Sequence, residues 1–138
     1  MEPVKTVKVT LYPAYGIPPS HNKQERMHWY LRNELRKELG WWVYLAWKAA
    51  GSPRFRKPAV TYRFYFPDRR GRDPDNLIAS MKGYLDGLKH YAFWDDNHKN
   101  IDLRKPEILV DKQFPRVEID LEETDIREDD QHATPDQG

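Results

Sequence analysis

A strand pattern runs into an amphipathic helix pattern in the middle of the chain, and only a short charged turn separates them. Residues 60–66 alternate in a way that predicts a strand with one aromatic face. At 100° per residue, one arc of the following segment collects the side chains of Leu77, Ile78, Met81, Tyr84, Leu85 and Leu88. This arc predicts a helix that packs on the strand, so the turn between them lies at the edge of the core.

The other apolar patterns extend this unit in both directions. In chain order they predict a strand over 4–12, one long helix or two helices bent at Gly40 over 23–50, a strand with a kink or an edge position at Pro106 over 101–110, and a strand over 116–121. The order strand, helix, strand, helix, strand, strand is typical of a small α/β (α+β) domain. We therefore predict a mixed four-stranded sheet with two helices packed on it.

Length and charge predict one domain with an acidic end. The 138 residues suit a single domain, and the apolar content collapses after Glu123, so we expect a folded domain over 1–123 and a disordered acidic tail over 124–138. The net charge of +1 hides an asymmetry, because the residues from Glu118 onward carry −8 and the rest carry +9. A basic body with an acidic end is typical of a nucleic-acid-binding protein, although both ends could also be simply solvated.

Composition argues against several classes of protein. The chain has no cysteine, which rules out disulfides and thiolate zinc sites, and its five histidines are scattered. It contains no apolar run long enough to span a bilayer and no signal peptide pattern, so we expect a cytoplasmic protein without membrane contact. No small-molecule cofactor is expected.

The turn between the central strand and helix carries two aspartates one residue apart. Asp73 and Asp75 suit a helix start, because aspartate is a good N-cap, Pro74 favours the first helical position, and acids suit the first turn. The same carboxylates also suit a hard divalent cation held against a phosphate. The adjacent cationic side chains are those of Arg69, Arg70 and Arg72. On the residues of the turn alone, both interpretations stay open.

Further acids follow at spacings that favour a metal site. At the same 100° per residue, Asp75, Ala79, Lys82 and Asp86 lie along one exposed stripe, away from the apolar arc. The aromatic pair 93–94 then precedes two more aspartates, Asp95 and Asp96. A solvated helix face would look similar, and an ion pair between Lys82 and Asp86 is the alternative role for the lysine.

Four features, in chain order, resemble a known family. They are Pro18-Pro19-Ser20-x-Asn22, Arg72-Asp73-x-Asp75-Asn76-Leu77, Lys82-x-x-x-Asp86-x-Leu88, and the aromatic pair before Asp95-Asp96. Together they make the sequence similar to the RusA-type Holliday junction resolvases, Mg-dependent endonucleases of bacteria and their prophages. The resemblance runs from Leu11 to about Glu122. Some family members carry a lysine four residues after the second aspartate, where this chain has Ala79 and places Lys82 three residues further on.

The resemblance implies hydrolysis of the DNA backbone that leaves 5′-phosphate and 3′-hydroxyl ends. It implies that Asp73, Asp75 and Asp96, with Asp95 as a further ligand, hold Mg²⁺, for which Mn²⁺ can substitute, and that Lys82 assists catalysis. The residues expected to contact DNA are Arg69, Arg70, Arg72, Asn76 and Asn22.

The expected partner is a DNA four-way junction inside a bacterial or phage-infected cell. Its two-fold symmetry predicts a homodimer with one site for each cut strand. The first helical region offers more large aromatics than one stripe buries: Trp29, Trp41, Trp42, Tyr44 and Trp47. Two other functions stay open. One is a DNA-binding module whose acids are structural, and the other is an Mg-dependent nuclease acting on RNA or other branched DNA.

Overall fold

The computed structural model describes residues 6–11, 17–93 and 101–124. Within them the chain forms a mixed α+β fold with five strands and four helices. In order these are β1 Thr6–Leu11, α1 His21–Arg26, α2 Trp29–Ala49, β2 Pro58–Phe66, α3 Pro74–Ser80, α4 Lys82–Tyr91, β3 Asp102–Leu103, β4 Glu107–Val110 and β5 Arg116–Glu123. The broad class is the predicted one, whereas the predicted count of four strands and two helices is wrong.

A single mixed sheet forms one layer of the domain. Its order is β1, β5, β2, with β5 antiparallel to both neighbours, and β3 and β4 both pair in parallel with the far side of β2. The extra strand arises because the predicted strand over 101–110 is divided. Residues 104–106, which include Pro106, separate β3 from β4, and proline cannot donate a ladder hydrogen bond.

One face of the sheet carries the core. Alternate residues of β2 are buried, and in the register of the sheet Val60 lies opposite Leu121 and Phe64 opposite Val117. The helices α2 and α4 pack against each other and supply the other layer of the core. Their buried side chains are Leu39, Val43 and Trp47 from α2, and Tyr84 and Leu88 from α4. The alternation of β2 was therefore sufficient to predict which side of the strand is buried.

The first helical region is divided at 27–28 and not at Gly40, so the predicted bend at Gly40 is wrong. Met27 and His28 have ψ of 145° and 142°, which takes the backbone out of the helix. The His28 imidazole then begins α2, because its Nδ1 accepts the Tyr30 N–H at 3.2 Å. Gly40 lies inside the continuous helix α2.

The second helical region is divided at Met81, between α3 and α4. Met81 has φ −84° and ψ 1°, and its N–H donates to the Ile78 carbonyl three residues earlier. The Ser80 hydroxyl donates to the Leu77 carbonyl at 2.6 Å, a local bond of a kind that often bends helices. The continuous helix that would align Asp75 with Lys82 is therefore interrupted.

None of the helices among the described residues combines the length and the apolar content needed to cross a lipid bilayer.

Two glycines allow α4 to approach α2 closely. A Cβ added at Gly87 would lie 2.6 Å from Val43 Cγ1 and 3.1 Å from the Gly40 Cα. A Cβ at Gly83 would lie 2.8 Å from Leu39 Cδ1. By contrast, a Cβ at Gly40 would meet no atom within 4 Å. The close approach of the two helices therefore requires glycine at both of these positions in α4. At Gly40, in contrast, the structure has room for a side chain.

We expect Gly87→Ala and Gly40→Ala to have opposite effects on stability. Alanine is preferred over glycine in a helix by about 1 kcal/mol, so Gly40→Ala should raise the free energy of unfolding by up to that amount. At Gly87 the collision with Val43 and the Gly40 backbone should outweigh this gain and lower the free energy of unfolding by about 1–2 kcal/mol. Chemical denaturation of both variants measures the difference. Equal stabilisation would show that α4 shifts freely away from α2.

Candidate functional site

The turn at the carboxyl end of β2 is closed by its own charged side chains. The Asp68 carboxylate accepts the Arg70 N–H at 3.0 Å and a guanidinium N–H of Arg72 at 3.0 Å. Arg72 also donates to the carbonyls of Asp68 at 3.3 Å and Arg70 at 2.8 Å. Its guanidinium lies 3.6 Å from the centre of the Phe66 ring, at the end of the core strand. The turn is thus held against the core immediately before the two aspartates.

These contacts change the acidity of Asp68. The Arg70 backbone N–H, and then the Arg72 side chain, hold the pKa of this carboxyl below its ordinary value. The contacts therefore stabilise the fold above the pKa that Asp68 has in the unfolded chain. Their contribution is lost as the pH falls through the lowered pKa and the carboxylate becomes protonated.

Asp73 begins α3, as the helix-start interpretation predicts. Its carboxylate accepts the Asp75 N–H at 3.0 Å, and its carbonyl accepts the Leu77 N–H at 3.1 Å. Pro74 occupies the first helical position and Asp75 lies in the first turn. Capping occupies one carboxylate oxygen of Asp73 and none of Asp75, so this role leaves oxygens of both residues exposed to solvent.

Asp73 and Asp75 also differ from neighbouring acids in their pairing. Asp68 pairs with Arg72, and Asp86 pairs with Lys82, whereas neither Asp73 nor Asp75 has an ion pair with any residue that the structure describes. Exposed carboxylates without a cationic side chain against them have the hard oxygen donors that Mg²⁺ prefers. The donor chemistry of the pair therefore fits a magnesium ion.

The other two predicted ligands, Asp95 and Asp96, lie outside the described residues. Within the described ranges there is no group of three or more histidine or acidic side chains that could hold a metal ion. The described part of the site therefore supplies two of the four predicted metal ligands.

The structure packs the helix of the amino-terminal motif against the helix that begins at these acids. Helix α1, which carries the exposed Asn22, packs against α3, which carries Asp75 and the half-buried Asn76. The buried Gln24 side chain joins the two helices by donating to the carbonyls of Pro19 at 2.7 Å and Ser80 at 3.1 Å. Gln24 was not predicted, because a glutamine in a short polar helix has no sequence signal of burial.

The predicted basic residues differ in the exposure of their side chains and in the contacts that they make. Arg69 and Arg70 are exposed, and the 79% exposed Arg70 side chain makes only a 3.7 Å contact with the Asp68 carboxylate. Arg72 is mostly enclosed by the contacts described above, with 18% of its side chain exposed. Lys82 lies 3.3 Å from the Asp86 carboxylate, the ion pair named as its alternative role. A catalytic role for Lys82 stays a prediction.

In comparisons with known proteins, no family model and no curated protein matches the sequence.

We expect Arg72 and Arg70 to differ in their effect on stability. Arg72→Ala should lower the free energy of unfolding by about 1–2 kcal/mol, because it removes the contact with the Phe66 ring and hydrogen bonds to two carbonyls. Arg70→Ala, the matched control in the same turn, should change it by less than about 0.5 kcal/mol. Thermal denaturation monitored by circular dichroism measures both. Similar losses in the two variants would show that Arg72 does not hold the turn.

Proposed function

We propose that this protein is an Mg-dependent, structure-selective endonuclease that resolves DNA four-way junctions by hydrolysing phosphodiester bonds. The observation that carries the proposal is the pair Asp73 and Asp75, whose carboxylates stay free of ion pairs within the described residues. They stand at the start of α3, directly after a turn that exposes Arg69 and Arg70. Carboxylates without ion pairs beside exposed arginines suit a metal ion and a phosphate at adjacent positions.

In this proposal the chain's own residues position the DNA strand. Asp73 and Asp75 hold the metal, with Asp95 and Asp96 as further ligands. The hydrogen-bonded turn determines the position of Asp73 and Asp75 relative to the arginines. Arg69 and Arg70 bind backbone phosphates, while Arg72 mainly keeps the turn closed. Bound Mg²⁺, or Mn²⁺ in its place, supplies an activated water and offsets negative charge on the phosphate. Asn76 and Asn22 contact the DNA from the paired helices α3 and α1.

Lys82 assists the reaction by placing positive charge near the phosphate. Its ion pair with Asp86 is exposed, since 57% of the Lys82 side chain and 46% of the Asp86 side chain are accessible. Pairs of this kind contribute well under about 1 kcal/mol, so a phosphate can compete for the ammonium group. The observed pairing is therefore compatible with a second partner for Lys82 in the DNA complex.

Two copies acting together would cut the two strands of a junction symmetrically. Of the surplus aromatics, Trp47 is buried in the core, whereas Trp29 and Trp41 are more than half exposed. These two exposed residues are the candidates for contact between copies in the proposed homodimer.

We expect Asp75→Asn to lower the rate of junction cleavage by orders of magnitude while junction binding survives. The change removes one metal-binding charge but leaves the phosphate-binding arginines in place. The assay uses a synthetic four-way junction and a linear duplex of matched sequence, each with Mg²⁺ or EDTA. Glu38→Gln is the control, because Glu38 is also exposed and has no ion pair within the described residues.

The wild type and Glu38→Gln should cut the junction in Mg²⁺, spare the duplex, and fail to cut in EDTA. Full activity of Asp75→Asn would overturn the site assignment. Junction binding without cleavage in any divalent metal would instead identify a non-catalytic DNA-binding module.

We expect Lys82→Ala to lower single-turnover cleavage at least tenfold with little change in thermal stability. Loss of an exposed ion pair costs little, whereas loss of a charge beside the reacting phosphate raises the barrier. Lys89→Ala is the control, since Lys89 contacts the same carboxylate at 3.8 Å. Lys82→Arg should restore activity only in part, because a planar guanidinium places its charge differently. Wild-type cleavage rates for Lys82→Ala would show that Lys82 has no role in catalysis.

A further inference from the structure

A cleft lies beside the candidate site, between the turn after β2 and the turn after β4. Its volume is about 660 Å³, and its lining residues are Asp68, Arg69, Val110, Asp111, Lys112 and Gln113. The two turns are joined directly, because the Asp111 N–H donates to the Phe66 carbonyl at 2.8 Å. One wall of the cleft is therefore the same turn that leads to Asp73.

In each wall, one aspartate carboxylate accepts the hydrogen bonds that hold the turn together. On the second wall, the Asp111 carboxylate accepts the N–H groups of Gln113 at 3.1 Å and Phe114 at 3.0 Å. Arg116 lies 2.8 Å from the same carboxylate and stacks over the Tyr65 ring at 3.7 Å. This arrangement repeats that of Asp68, Arg72 and Phe66 on the first wall. A cleft between two self-closed turns is preorganised for a ligand.

The charges that remain available in the cleft are positive. Asp68 and Asp111 are both engaged by arginines. Arg69 and Lys112, in contrast, are exposed and have no ion pair with any described acid. The apolar lining residue is Val110, which is 42% exposed. Two free cations beside exposed apolar surface match the phosphate and the sugar or base of a nucleotide.

We infer that this cleft binds one nucleotide of the DNA strand that leads to the cut bond, an inference that rests on the proposed function. Arg69 and Lys112 bind its phosphate, while Val110 contacts its sugar. Asp68 and Asp73 are five residues apart, so at most about 18 Å of chain separates the cleft wall from the metal-binding acids. At 3.4 Å per nucleotide along one strand, the bound nucleotide lies within about five nucleotides of the cut.

Charge argues against a second copy of the chain as the occupant. The outer edge of β4 carries the exposed apolar residues Ile108 and Leu109, which could pair with another strand. A two-fold interface, however, brings the same patch of each copy together. Arg69 and Lys112 of one copy would then face the same cations of the other, whereas a polyanion is attracted to all of them.

The test is junction binding by Lys112→Ala in EDTA, measured by fluorescence anisotropy over a range of salt concentrations. Losing one phosphate contact should weaken binding about 5- to 10-fold at low salt and reduce the slope of log affinity against log salt by about 0.9. Lys105→Ala is the matched control, because Lys105 is exposed near the same edge but does not line the cleft. It should change affinity less than about twofold and leave the salt slope intact.

A second variant tests the apolar part of the cleft. Val110→Ala should weaken junction binding while the salt slope stays unchanged, because an apolar contact releases no counterions.

The possible failures are distinguishable. Cleavage by the wild type, with Lys112→Ala binding as Lys105→Ala does, overturns the cleft assignment and leaves the proposed function intact. A change of sedimentation coefficient in the cleft variants without a change in DNA affinity also overturns it, and identifies an interface between copies. Failure of the wild type to bind junction DNA overturns both proposals.

Discussion

The contact between the Arg72 guanidinium and the Phe66 ring joins the hydrophobic core to the candidate site. Phe66 is the last residue of β2 and is nearly buried, so its position is determined by the packing of the sheet. Arg72 lies 3.6 Å from that ring and also binds Asp68 and two backbone carbonyls of the turn. Because Asp73 follows directly, the placement of Asp73 and Asp75 depends on how the turn is held against the core.

The parts of the fold that follow from local pattern were predictable. Alternation predicted β2 and its buried face, and the 3.6-residue period predicted helices on either side of it. The helix breaks were not predicted, because they depend on particular hydrogen bonds. His28 caps α2 through its imidazole, and the Ser80 hydroxyl bonds back to the preceding turn. Neither hydrogen bond leaves a periodic pattern in the sequence from which the helix break could be predicted.

The sequence pattern predicted which residues form the site better than it predicted what each of them does. Asp73 as a helix cap follows from local chemistry, and the structure confirms it. The role of Gln24 depends on a contact with Ser80, 56 residues away, and the role of Arg72 depends on an aromatic ring at the end of a strand. Long-range contacts of this kind become visible only when the elements are assembled. The metal ligands predicted at Asp95 and Asp96 fall outside the described residues.

Ion pairing separates the acids around the turn into two groups. Asp68 and Asp111 each bind an arginine that also stacks on an aromatic ring, and these carboxylates maintain the shape of the two turns. Asp73 and Asp75 lie close to the first of these turns in the chain, yet no described cation pairs with them. The arginines that could have neutralised this pair are instead committed to the turn or exposed to solvent. The segment from Asp68 to Asp75 therefore presents carboxylates without ion pairs among the described residues next to the exposed side chains of Arg69 and Arg70.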